Sequence, residues 1–210
     1  MYNPRSFHEI VMAGLPVLHN RKKKNIELFK RNFEDYTITI KPFSLIDHLD
    51  ILYDWVNREY AKKFWGMHGS KKELYQHYDE FLESGRGYSL LFFIGKKPVA
   101  FVDYYQVQED EVKKFYDFKE SDFGIHLLMA PISGAPISEL SKNVMITCLS
   151  FMFNLSVDRV IGEPDINNKP ANELVKKVGF RFLKEIEMSY KKANLYYYNK
   201  ADFIAEHRLQ

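Results

Sequence analysis

Two polar side chains stand where strands would present them to a cleft. His126 lies in Gly124-Ile-His126-Leu-Leu128, and Asp165 follows the apolar run Val157–Gly162 in Glu163-Pro164-Asp165. Side chains alternate along a strand, so His126 points away from the face shared by Ile125 and Leu127. Asp165 comes just past the carboxyl end of a short strand, where open α/β sheets hold their ligands. A His and an Asp converging on one cleft can act as a base and its orienter. Taken singly, each has a plainer account: His126 as a core histidine with its hydrogen bonds met, Asp165 as a turn residue after Pro164. The one cysteine, Cys148, falls in an apolar helical pattern and reads as a buried, inert thiol. It excludes an internal disulfide and a zinc site built from cysteine alone, and no metal site is expected.

The strongest local pattern is Asn168-Lys-Pro-Ala171-Asn-Glu-Leu174-Val-Lys-Lys-Val-Gly179-Phe180. Asn168 suits a turn or cap, Pro170 a helix start and Gly179 a helix stop. The spacing also resembles the closing motif of the GNAT acyltransferases, in which an Asn, an Ala, a Leu and a terminal Gly-Phe form the acyl-CoA end of the fold. The tyrosine with which many GNAT enzymes protonate the leaving thiolate falls at Val175, so that position cannot do so here. Glu163-Pro164-Asp165 followed by Asn167-Asn168 is similar to the signature of the siderophore-biosynthesis branch, the enzymes of the aerobactin, rhizobactin and mycobactin pathways. Trp55-Val-Asn57 with Phe64-Trp65-Gly66-Met67, Gly124-Ile-His126-Leu-Leu128 and Lys191-Lys-Ala193-Asn-Leu195 resemble further segments of that branch in the expected order. The resemblance runs from Thr37 to Phe203.

This resemblance implies a mixed α/β GNAT fold: a central, mostly antiparallel sheet with helices on both faces. It implies acetyl-CoA or another acyl-CoA as co-substrate and an N-hydroxylated amine as acceptor, such as N6-hydroxylysine or N-hydroxycadaverine, converted to a hydroxamate. The catalytic pair would be His126 and Asp165, with Asp165 collecting the proton and His126 binding the hydroxylamine or sharing that proton. The acyl-CoA would lie on Leu128, Met129, Gly134, Ala135, Ile137, Ser138, Asn168 and Ala171. Phe64, Trp65 and Met67 would line the acceptor side, although core packing explains Phe64 and Trp65 equally well. A siderophore synthetase or an amine N-hydroxylase would be a partner. Two alternatives stand beside this one: acetylation of an ordinary amine, and a non-catalytic CoA-binding module. The turn before the central helix departs from the family, because Ile132-Ser-Gly-Ala-Pro-Ile-Ser138 keeps Gly134 but lacks the usual Arg and later Gly. Pro136 also removes an amide donor. What remains for the CoA phosphates is the helix N-terminus, with Ser138 expected as its cap, and a lysine such as Lys142.

These residues need a scaffold, and the rest of the chain supplies one. Apolar residues make up 46% and aromatics 16% of 210 residues, enough for one core. The expected organisation is an extension over 1–36 packed on a domain over 37–210. A net charge of +2 does not suit a nucleic-acid binder. The basic run Arg21–Lys24 reads as a solvated helix start. No stretch reaches the roughly 20 apolar residues of a membrane span, and Ile10–Leu18 lacks the form of a leader, so the cytoplasm is the default expectation. The segment from Asn25 to Phe33 reads as a short helix, and Tyr36–Ile40 as a strand. Helices are expected from Ser44 to Asn57, from Ser70 to Ser84, from Ser138 onward and over Pro170–Val178. Strands are expected at Tyr88–Ile94, Pro98–Gln108, Ser121–Met129, Val157–Gly162, Phe180–Ser189 and Ala193–Tyr198.

Overall fold

The computed structural model describes residues 26–155 and 157–207. The basic run at 21–24 and the apolar stretch at 10–18 lie outside them. Eight strands form one sheet: β1 (Phe29–Asn32), β2 (Thr37–Pro42), β3 (Gly87–Ile94), β4 (Lys97–Gln106), β5 (Asp122–Met129), β6 (Arg159–Gly162), β7 (Arg181–Glu187) and β8 (Lys192–Asn199). Their order is β1-β2-β3-β4-β5-β6-β8-β7. Every neighbouring pair is antiparallel except β5 with β6. The helices are α1 (Leu45–Val56), α2 (Glu59–Trp65), α3 (Lys71–Ser84), α4 (Leu140–Asn154), α5 (Lys169–Val178) and α6 (Lys200–Glu206). This is the mixed α/β, mostly antiparallel architecture expected.

Local chemistry sets most of the element ends. Ser44 caps α1 by accepting from Asp47 N, and Ser70 with Glu73 forms a reciprocal capping box on α3. Asn168 caps α5 by accepting from Ala171 N, with Pro170 in the first turn and Gly179 closing the helix at φ 115°. Two expectations are corrected, and one helix appears that was not expected. The Asn25–Phe33 stretch contains the edge strand β1, because Phe29–Asn32 finds ladder partners on β2 that outweigh its helical spacing. The aromatic run after Asn57, for which no element was expected, forms the helix α2, closed by Gly66 in a left-handed conformation. Ser138 does not cap α4. The helix starts at Leu140, and Glu139 stands at its N-cap with φ 57° and no side-chain cap, so Ser138 lies one residue too far out.

The sheet separates two cores. Ile38, Leu90, Val102, Tyr104 and Ile125 face α4 through Val144, Cys148 and Met152. Leu91, Phe93, Phe101 and Leu128 face α1 and α3 through Leu52, Trp55, Leu74 and Tyr78. Cys148 is fully buried and burial pushes its thiol up to about 12, so it is packing material. His126 shares the register pairs that place Asp103 and Ser89 on the α1–α3 face.

The feature that opens a cleft is the β5–β6 junction. The two strands pair only over Asp122↔Arg159, Phe123↔Val160 and Gly124↔Ile161. At that closed end Arg159 grips the buried Asp122 with two bonds, Nε to Oδ1 at 2.8 Å and Nη2 to Oδ2 at 2.6 Å. Such forked pairing is directional and holds two strands in register. Beyond Gly124, β5 continues without β6. Ala130 N donates to Val99 O, which assigns the even-numbered residues of β5 to hydrogen bonding with β4. The amide groups of Leu127 and Met129 therefore point toward the gap, where the Met129 carbonyl already accepts from Tyr60 Oη at 2.8 Å.

Candidate active site

A cavity of about 910 Å³ occupies this gap and reaches under α2 and α3. Its floor is β5 from Ile125 to Met129, and its walls include Phe64, Trp65, Met67, Tyr105, Glu163, Asp165, Asn168, Ala171 and Lys191. The structure thus brings together His126 and Asp165, the acceptor candidates Phe64, Trp65 and Met67, and Leu128, Met129, Asn168 and Ala171. It leaves Gly134, Ala135, Ile137 and Ser138 outside the cavity wall, in the exposed turn after β5.

The His126 ring is held on three sides. Its Nε2 lies 2.7 Å from Glu163 Oε1. The Tyr105 ring lies beside it, tilted by 36°, at 4.9 Å between centroids, and the Trp65 ring meets it edge-on at 6.4 Å. Gly124 makes the Tyr105 position possible, because a Cβ at Gly124 would come within 2.1 Å of Tyr105 Cζ. Lys191 Nζ stands 3.5 Å from the same Glu163 oxygen. On the neighbouring strand, opposite His126, the buried Asp103 accepts from Ser89 Oγ at 2.5 Å and from Tyr78 Oη at 2.9 Å.

The electrostatics follow from this packing. Burial alone would raise the Glu163 pKa, but the charges of His126 and Lys191 and the bond to His126 hold it at about 2. Burial alone would lower the His126 pKa; the Glu163 charge and hydrogen bond outweigh it, Asp103 adds to them, Lys191 opposes, and the result is raised. Asp103 is pushed up to about 6 by burial, against the bonds from Ser89 and Tyr78 and the charge of His126. Perturbed groups concentrated in one cleft are what a proton-transfer site requires.

Asp165 has a different environment. Its Oδ1 accepts from Asn167 N at 2.7 Å, and its carbonyl accepts from Asn168 N and Asn172 Nδ2. The residue partnered with His126 is Glu163, not Asp165. The 163–168 loop is fixed by main-chain bonds to the β8 hairpin, Asn194 N to Pro164 O and Ile166 N to Lys192 O. The buried Asn172 ties the loop again, and in turn accepts from Asn194 and Tyr196. Glu163, Lys191, Tyr105, Asp103 and Asn172 were not singled out from the sequence as site residues. The available signal was Glu163 directly after an apolar strand, two residues before Asp165. Among the described residues no group of three or more His, Cys, Asp and Glu side chains is arranged to hold a metal, and no helix is long and apolar enough to cross a membrane.

The chain belongs to the acetyltransferase (GNAT) domain family, whose model matches residues 44–188, and it is an acyl-CoA N-acyltransferase. It is 22% identical over 179 residues to an N-hydroxyputrescine acetyltransferase of Acinetobacter baumannii, covering 82% of this chain and 85% of that one. It is 21% identical over 153 residues to an N(6)-hydroxylysine O-acetyltransferase of Escherichia coli, covering 72% of this chain and 49% of that relative. In fold it is similar to the aminoglycoside acetyltransferase AAC(6')-Ib solved in complex with coenzyme A, with a TM-score of 0.71, 18% identity, and coverage of 81% of this chain and 99% of that one.

Proposed function

We propose that the protein transfers an acyl group from acyl-CoA to the nitrogen of an N-hydroxylated amine, giving a hydroxamate for siderophore assembly. The observation that supports this most is the His126–Glu163 pair at the β5–β6 fork, beside a stretch of β5 that β6 leaves unpaired. The acyl-CoA arm bears amides, and the outward amide groups of Leu127 and Met129 fit such an arm. Its phosphates would meet the N-terminus of α4, which has no side-chain cap, near Lys142.

In the reaction the acceptor nitrogen attacks the thioester carbonyl. A C–N bond forms, the C–S bond breaks, the nitrogen loses one proton and the thiolate gains one. His126, in its neutral form, takes the nitrogen proton while Glu163 orients the ring and stabilises the imidazolium that results. Asp165 lies on the same wall and orders the acceptor, its Oδ1 occupied by the turn. Val175 supplies no proton, so the thiolate is protonated by the imidazolium or by solvent. A hydroxylamine is less basic than a simple amine and is neutral near pH 7, so the site needs only to collect the proton as the bond forms.

The test is thiol release from acetyl-CoA and succinyl-CoA, with N-hydroxycadaverine, N6-hydroxylysine, cadaverine and lysine side by side. The proposal expects higher kcat/KM for the hydroxylated member of each pair. Equal or faster turnover of the plain amines would select an ordinary amine acetyltransferase.

A further inference from the structure

Five buried side-chain polar atoms among the described residues have no hydrogen-bond partner, and three of them belong to residues on the wall of this one cavity: Tyr105 Oη, Glu163 Oε2 and Trp65 Nε1. Tyr105 is 6% exposed and Glu163 3%. The Tyr105 hydroxyl stands close enough to Glu163 to help hold its charge, yet short of hydrogen-bond geometry. Buried polar groups are nearly always satisfied, because an unpaired one keeps the full cost of its desolvation, and more so when charged. A hydroxyl and a carboxylate oxygen that lie beside one another next to the His126 ring, closed to solvent and unbonded, are therefore a place where a ligand oxygen inserted between them would satisfy both.

The chemistry of the two atoms names the ligand group. Glu163 is ionised, so Oε2 only accepts; Tyr105, whose pKa burial and the Glu163 charge hold well above its ordinary value, keeps its proton and donates. A group that donates one bond and accepts another from a single atom is a hydroxyl. A plain primary amine that is neutral for attack can donate to Glu163, but it has no second heteroatom to accept from Tyr105 while its nitrogen lone pair is aimed at a carbonyl. We infer that Tyr105 and Glu163 form the recognition site for the N-hydroxyl of the acceptor. The hydroxyl donates to Glu163 Oε2 and accepts from Tyr105 Oη, and its nitrogen is left facing His126. This deepens the proposed function and rests on it. It also explains why Glu163 has two duties: Oε1 orients the base and Oε2 reads the substrate.

A site built to bond a substrate hydroxyl discriminates strongly against the analogue lacking it, because its own buried groups are then stranded. The test is Tyr105→Phe, which removes one oxygen and keeps the ring that supports His126. Steady-state kcat/KM is measured for N-hydroxycadaverine and cadaverine in wild type and variant, with thermal melting of both proteins. The expected result is a fall of about tenfold or more in the hydroxylated-to-plain ratio, with a melting temperature equal to or above wild type, since an unpaired buried hydroxyl is lost. If wild type prefers the hydroxylamine and the variant keeps that ratio within twofold, the Tyr105–Glu163 assignment is overturned and the proposed function stands. If wild type itself shows no preference, the proposed function fails. A second variant, Tyr105→Leu, which removes ring and hydroxyl together, is expected to lower turnover of both acceptors; Tyr105→Phe losing both equally would make Tyr105 a support for His126 only.

Discussion

The two ends of one segment, β5 and the turn that follows it, are organised in opposite ways. At His126 every neighbour is held in place: Glu163, Lys191, Tyr105, Trp65 and Asp103 come from four different elements or loops, Tyr105 and Asp103 sharing β4, and are fixed by burial, ring contacts or hydrogen bonds. Less than ten residues further on, the turn from Pro131 to Glu139 is exposed, with Ile132 84% accessible. Its cations are engaged with protein rather than waiting. Lys97 donates to Ser133 O, and Lys142 and Lys177 both pair with Glu139. On the proposed mechanism, the difference separates the part of the reaction that is built in advance from the part that the ligand assembles. Proton transfer needs groups placed to within a few tenths of an ångström, so that end is prebuilt. Holding phosphates needs only helix-end amides and mobile lysines, which a charged ligand can gather for itself.

The largest expected effect breaks the prebuilt end. His126→Ala is expected to lower kcat by ~10³-fold with saturating acyl-CoA and hydroxylamine, the range typical of a lost general base. Asp165→Asn is expected to cost only about tenfold, because Asn can still accept from Asn167 N and no bond joins Asp165 to His126. Comparable losses in the two variants, measured by thiol release, would return the proton to Asp165.

Glu163→Gln sharpens the same end through pH. Without the carboxylate, burial and Lys191 remain and both lower the His126 pKa, and the Asp103 charge, the smallest of these influences, is what still raises it. Neutral His126 then persists to lower pH, so the acidic limb of kcat/KM against pH should move down, while the plateau falls about tenfold or more from lost orientation. A limb that stays in place, or a His126 NMR titration unchanged from wild type, would remove Glu163 from this role. The same coupling sets a stability window. Glu163 stabilises the fold above its ordinary carboxylate range and loses that as pH falls toward about 2. His126 stabilises it below its ordinary value and loses that as pH rises through its raised one.

Gly124→Ala tests whether the ring packing matters. The new Cβ would drive into Tyr105, and overpacking of this kind costs about 1–3 kcal/mol. A lowered melting temperature with a fall in kcat larger than in KM is expected, as Tyr105 moves off His126.

The same contrast governs what the sequence disclosed. The prebuilt fold elements were legible wherever a local signal set them: the Ser70 capping box, the Asn168 cap with Pro170 and Gly179, and the Gly95 hairpin between β3 and β4. The face His126 occupies was legible by strand parity, and its candidate role only through the family resemblance. The partner of His126 was not legible, because the choice between Glu163 and Asp165 depends on how the chain bends after β6, and that bend is set by bonds to β8 some 30 residues later. Tyr105 and Asp103 were invisible for a related reason. They lie in an apolar strand whose reading as core is correct for its other face.

The smallest expected effect falls on the open end. Glu139 holds Lys177 Nζ at 2.5 Å and Lys142 Nζ at 3.6 Å, yet it stands at the very helix terminus proposed to meet the phosphates. A carboxylate there repels them and occupies both lysines. Glu139→Gln should therefore lower KM for acetyl-CoA by roughly two- to fivefold at low salt, as expected for exposed charge pairs, and leave kcat unchanged. The gain should shrink as salt is added. A KM that rises instead would mean that Glu139, by pinning Lys142 and Lys177 in place, organises the phosphate end in advance. The contrast between a prebuilt and a ligand-assembled half of the site would then fail.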